Sequence, residues 1–184
     1  QMALSFKNPY AMPFRLGEKL KVVEVIYQEV SRLTGLEIIR QTDNLCSLRC
    51  ISEAAPKEFD SIMRRIFLLL QDLYHEFNAA IARNDIVSIE TVEQKHFTIS
   101  KFISYCIRLL NKHGHPDHAK VTFLHHILAS LDRITDFIKY SARELIIYRK
   151  EVKPETKQMI ERITRSLDMY NKFFFDYSGE LMTK

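Results

Sequence analysis

The chain has 184 residues, 46% of them hydrophobic, with only 4 glycines and 5 prolines. That suffices for one medium domain, or for a small domain plus a bundle, and the scarcity of turn-forming residues favours long helices over a many-stranded sheet. A net charge of +4, from 27 basic and 23 acidic residues interspersed along the chain, falls short of a nucleic-acid footprint.

Met2 to Lys7 alternates weakly and reads as a short strand, and Asn8-Pro9 and Pro13 mark a loop. From Gly17 to Thr34 the apolar positions Leu20, Val23, Ile26, Val30 and Leu33 keep helical spacing. Gly35 suits the residue that ends this helix, because without a Cβ it adopts positive φ freely. Leu36–Gln41 and Leu45–Ile51, separated by the polar cluster Thr42-Asp43-Asn44, read as a hairpin. These elements predict a small β-α-β-β module over residues 1–55.

Ala54-Ala55-Pro56 breaks that pattern, and from Phe59 the spacing is helical. A first stripe runs Ile62, Ile66, Leu70, Leu73, Phe77, Ala80. After Arg83-Asn84-Asp85 a second runs Ile89, Val92, His96, Ile99, Ile103, Cys106, Leu110. The turn Asn111–Asp117 leads to a third, Leu124, Leu128, Leu131, Thr135, Ile138, Ala142, Leu145. Alternating steps of three and four, with short connections, predict a three-helix antiparallel bundle over residues 56–150. Pro154 opens a further helix in 154–184, with Met159, Ile160, Ile163, Leu167, Tyr170 and Phe174 on one face. The fold class predicted is therefore mainly α.

Several chemistries are excluded or weakly supported. Charge interrupts every apolar run, so no membrane span is predicted. Cys46, Cys50 and Cys106 are odd in number and lack framework spacing, which points to a reducing, cytoplasmic location. No Gly-x-Ser-x-Gly, Gly-rich phosphate loop or His-Glu-x-x-His occurs, and no catalytic residue is assigned. His113, His115 and His118 crowd one turn beside Asp117, with His125-His126 beyond, but no ligand set is completed and the stretch reads as a solvated loop. Asp132 and Asp136 stand four residues apart, one turn along one helix face. Two like charges so placed need a compensating partner: a metal, full solvation, or a cation such as Arg133, Lys139 or a group on a facing helix.

Leu131-Asp132-Arg133-Ile134-Thr135-Asp136 resembles the acidic signature on the last helix of a PhoU-type three-helix repeat. Phe59-Asp60-Ser61-Ile62-Met63-Arg64-Arg65 is similar to the opening of the first helix in archaeal PhoU-like regulators, and Cys106-Ile107-Arg108-Leu109-Leu110 to the end of their second. Gly35-Leu36-Glu37-Ile38-Ile39 resembles the strand that leads into their bundle. The resemblance spans residues 17–150. It implies a non-enzymatic regulator of phosphate uptake that docks on a phosphate ABC transporter component or a signalling protein, and a homodimer. The contact surface expected is the first bundle helix together with the aromatic tail Phe173–Tyr177.

The resemblance also implies an iron, zinc or manganese cluster, with Asp132 and Asp136 matching its acidic motif. The second helix of the family supplies a further acidic pair, but those positions here fall at His96 and Ser100, with Glu93 one turn before. The metal set is thus half intact (Asp132, Asp136, His96, Glu93), and the sequence commits to no cofactor. A hydrogen-bonded core histidine is the competing reading of His96. Two other functions stay open: a bundle whose purpose is the metal, and a transcriptional regulator whose DNA-reading segment lies outside this chain.

Overall fold

The computed structural model describes residues 2–5, 16–42, 45–50, 58–149 and 152–176. The predicted loops around Pro9, Pro13, Asp43-Asn44 and Pro56, and the tail residue Tyr177, lie outside them. The protein is mainly α, with a small antiparallel sheet ahead of the bundle helices, as the periodicity predicts.

Strand β1 (Met2–Ser5), helix α1 (Leu16–Ser31) and strands β2 (Leu36–Thr42) and β3 (Leu45–Cys50) form the leading module. All pairings are antiparallel, in the order β1-β3-β2, and the β2/β3 register shifts between Ile38 and Arg40. Val30 and Ile26 of α1 close over Cys46, Leu48, Leu36 and Ile38 in a small core of its own. Helix α1 stops at Ser31, short of the predicted Thr34, so Gly35 does not end it; its φ of +75° serves the turn into β2, where the Leu36 N–H donates to the Leu33 carbonyl at 3.3 Å. The module touches the bundle where the Arg108 guanidinium donates to the Thr34 carbonyl and the Arg32 guanidinium lies 5.4 Å over the Phe97 ring.

The bundle contains α2 (Phe59–Arg83), a short α3 (Ile86–Glu90), α4 (Val92–His113), α5 (Ala119–Tyr148) and α6 (Pro154–Phe175). Its directions follow from paired side chains. Lys95 pairs with Glu76, Arg65 lies 5.1 Å over Phe102, and Tyr105 Oη donates to Glu58 Oε2 at 3.3 Å, so α4 runs antiparallel to α2. His125 meets Asn111 while Arg143 meets Glu93, so α5 runs antiparallel to α4. Asp168 meets His75 and Phe174 stacks on Phe67, so α6 returns along α2.

Two local features depart from the periodicity. The second predicted helix is broken at Thr91, whose N–H and hydroxyl both donate to the Ser88 carbonyl three residues back, tightening the turn between α3 and α4. Asp85 caps α3, accepting from the Ser88 N–H at 3.2 Å and the Ser88 hydroxyl at 2.6 Å. The predicted face of α6 holds at Ile160, Leu167, Tyr170 and Phe174, which pack on the core, but not at Met159 and Ile163. Met159 is 56% exposed and Ile163 is also exposed, while Thr164 is buried instead, next to the contacts that Asp168 and Asn171 make with Gln71 of α2.

Burial concentrates on α2. It touches α4, α5 and α6, so Met63, Phe67, Tyr74 and Ile81 join the predicted stripe in the core. On α5 the predicted seam holds: Leu124, Leu128, Leu131, Thr135, Ile138 and Ala142 are all buried. Thr135 satisfies its hydroxyl by donating to the Leu131 carbonyl at 2.6 Å.

Candidate functional site

The acidic pair on α5 lies against α4. Because the two helices are antiparallel, a step of four along α4 meets a step of four back along α5. His96 Nε2 therefore donates to Asp136 Oδ1 at 2.8 Å, and one turn further Ser100 Oγ donates to Asp132 Oδ1 at 2.9 Å. Lys139, three residues after Asp136, ion-pairs with Asp136 and sets its Nζ 3.3 Å from His96 Nε2. One more turn along, Arg143 ion-pairs with Glu93 across the same seam. The His96 and Lys139 side chains are each 13% exposed, and Asp136 is 38% exposed.

The electrostatics follow from these contacts. Burial pushes the Asp136 carboxyl up, but hydrogen bonds from Lys139 and His96 and their charges outweigh it and hold the group below its ordinary value. Glu93 is held low first by its hydrogen bond from Arg143, and then by the charges around it. The repulsion implicit in Asp132/Asp136 is thus relieved within the protein. A hydroxyl donor meets one carboxylate; an imidazole and an ammonium meet the other.

The candidate metal residues do not converge. His96 with Asp136 make one contact, Asp132 turns to Ser100, and Glu93 turns to Arg143. Among the described residues no three His, Cys, Asp or Glu side chains form a group able to hold a metal ion. Lys139 occupies the position beside Asp136 that a cation would take. The residues present do not fit a metal cluster, and no chemistry is routed through one. Of the compensating cations, Lys139 is legible from its spacing to Asp136. Arg143 escapes a reading centred on the acidic pair, although it lies four residues beyond Lys139 on the same face. Arg133, the nearest in sequence, is exposed and belongs to another face.

The histidine-rich turn is built from local hydrogen bonds. His115 Nδ1 accepts from the Asp117 N–H at 3.0 Å, and Asp117 Oδ1 accepts from the Ala119 N–H at 3.1 Å, which starts α5. His125 bonds Asn111 across the turn at 2.9 Å. Cys106 is fully buried, and burial pushes its thiol up to about 12, so it stays protonated. At the far end of the bundle a cleft of about 340 Å³ is lined mainly by Ile81, Ile86, Ile89, Leu145 and Val152.

The expected contact surface is partly covered within the chain, while Leu68 of α2 and Phe173 of the tail stay exposed. Helix α2 is the central helix, with ten buried residues and neighbours on three sides. Phe174 and Phe175 of the tail pack on Phe67 at ring separations of 5.1 and 5.2 Å, and the Arg64 guanidinium covers Phe175 at 4.4 Å. No helix of the described residues is long and apolar enough to cross a membrane. No protein-family model, curated protein or solved structure matches the chain.

Proposed function

We propose that the protein is a PhoU-type regulator of phosphate uptake or signalling, which acts by docking on a phosphate ABC transporter component or a signalling protein. The observation that supports this reading is the placement of the acidic motif. Asp132 and Asp136 lie on the third long helix of an up-and-down bundle and face the second long helix, where the family resemblance puts them. The resemblance supplies phosphate and the partner class; the geometry supplies a bundle whose acidic face is closed.

In this reading the acidic motif has become a clamp between α4 and α5. Ser100, His96, Lys139 and Arg143 take the places where metal ligation would need free carboxylates or open coordination. The protein then regulates by contact alone, as a homodimer, and no reaction is assigned to it.

Co-purification from cells grown with scarce and with abundant phosphate tests the reading. A phosphate transporter subunit or signalling kinase should be recovered, in amounts that change with phosphate. Loss of the protein should leave phosphate uptake running under abundant phosphate. If no transporter or kinase component is recovered in either condition and uptake is unaltered, the reading fails.

A further inference from the structure

Helix α5 carries a second stripe in addition to its core seam. Phe123, Ile127, Ser130, Ile134, Phe137 and Ser141 follow one another at alternating steps of four and three, a heptad line. The same spacing reaches Lys120 at one end and Glu144 at the other, both exposed. The stripe lies on the side of the helix away from α4. Ile127 and Ile134 rest half-buried against the core, while Phe123 is 72% and Phe137 71% exposed, so no described element covers these two rings. Two aromatic rings this exposed, aligned on one heptad line, mark a surface that lacks its partner.

We infer that the partner is a second copy of this chain, paired α5 against α5 in antiparallel fashion about a two-fold axis at the level of Asp132. The charges and volumes along the stripe select this arrangement. With the axis there, Lys120 faces Glu144 of the partner subunit and Phe123 faces Ser141 of the partner subunit. Ile127 faces Phe137 of the partner subunit, and Ser130 faces Ile134 of the partner subunit. The seam is closed at each end by opposite charges, and in two of its layers a large apolar side chain meets a small serine. A serine hydroxyl on a helix can return to the carbonyl one turn back, as the Thr135 hydroxyl does to Leu131, so neither serine needs a donor or acceptor from the other copy. Sliding the pair by one heptad sets Glu144 against Ile127, or Lys120 against Phe137, and buries a charge without a counter-charge. A parallel pair sets Lys120 on Lys120 and Glu144 on Glu144. The contact between Lys120 and Asp117, 3.8 Å long and exposed, gives way readily to the new one. Arg133 flanks the axis and meets its own copy, a like-charge contact that opposes the pairing. The pairing rests on the proposed function for the homodimer and gives it a surface; its failure would leave the docking on a transporter component or signalling protein to the co-purification test.

Sedimentation velocity of the full chain over roughly 1–200 µM should show a monomer–dimer equilibrium. Phe137→Arg should leave a monomer with unchanged circular dichroism and, at concentrations where the wild type is itself monomeric, an unchanged melting temperature, because the replaced ring is exposed. Lys120→Glu and Glu144→Lys should each weaken the dimer by about tenfold. The double charge exchange should restore it. A wild-type chain that stays monomeric throughout overturns the inference. So does a dimer that survives Phe137→Arg, or a double variant no tighter than the two singles.

Discussion

His96 Nε2 and Asp136 Oδ1 stand 2.8 Å apart across the α4/α5 seam, with Lys139 closing on both. A histidine on an otherwise apolar stripe is placed there because the facing helix presents a carboxylate at that level. The contact is partly exposed, which limits its worth, but it orders two long helices in register. Its neighbour, Ser100 to Asp132, repeats the arrangement one turn away without a formal positive charge.

A double-mutant cycle measures this register lock. His96→Ala and Asp136→Ala should each destabilise the protein, and the double variant should lose less than the sum of the two. The coupling expected is about 0.5–1.5 kcal/mol, the range for a hydrogen bond with one charged partner after allowance for exposure. Urea denaturation of the four proteins gives the value. Additive losses would mean that the pair packs without coupling.

Acid should loosen the same seam. Asp136 and Glu93 are both held below their ordinary values of 3.8 and 4.5. Groups depressed in the folded state contribute stability that is present above the unfolded value and lost as pH falls through the folded one. The urea midpoint of the wild type should therefore fall as pH drops below about 4.5. In an Asp136→Asn/Glu93→Gln variant the midpoint should start lower and fall less steeply. Equal slopes in the two proteins would place the acid sensitivity elsewhere.

Phe67 holds α6 to the bundle. It is 2% exposed and meets Tyr170, Phe174 and Phe175. Phe67→Ala should cost about 3–5 kcal/mol, through lost transfer energy and the cavity left behind. Hydrogen exchange should show the amides of α6 losing protection more than those of α4. His75→Ala, which removes only an exposed contact to Asp168, should cost under about 1 kcal/mol.

Cys106 should be inert in the folded protein. With Cys46 and Cys50 replaced by alanine it is the sole thiol. Labelling by a disulfide reagent at pH 8 should then be slower than for a free thiol by roughly a thousandfold or more, and should speed up with denaturant. Rapid labelling without denaturant would show that the α4 core opens locally.

The helices and much of the core are legible in the sequence because helical periodicity is a local property. Leu124 to Ala142, Ile99 to Leu110 and Ile66 to Ala80 read as seams on spacing alone, and each is buried. Pro154 marks a helix start for an equally local reason, a ring-fixed φ, whereas Gly35, read as a helix end, supplies the positive φ of the turn into β2 after α1 has stopped at Ser31. The break at Thr91 escapes detection because one tightened turn leaves the apolar spacing nearly unchanged. The burial of Thr164 in place of Met159 and Ile163 escapes it because the setting of α6 involves polar groups on α2, ninety and more residues away. The acidic pair shows the same division. Its four-residue spacing puts Asp132 and Asp136 on one face of α5 and requires compensation for their charge. Only the antiparallel approach of α4 decides what supplies it, because the cost of a carboxylate depends on the donor it meets in space. Those donors are Ser100 and His96, with Lys139 beside them.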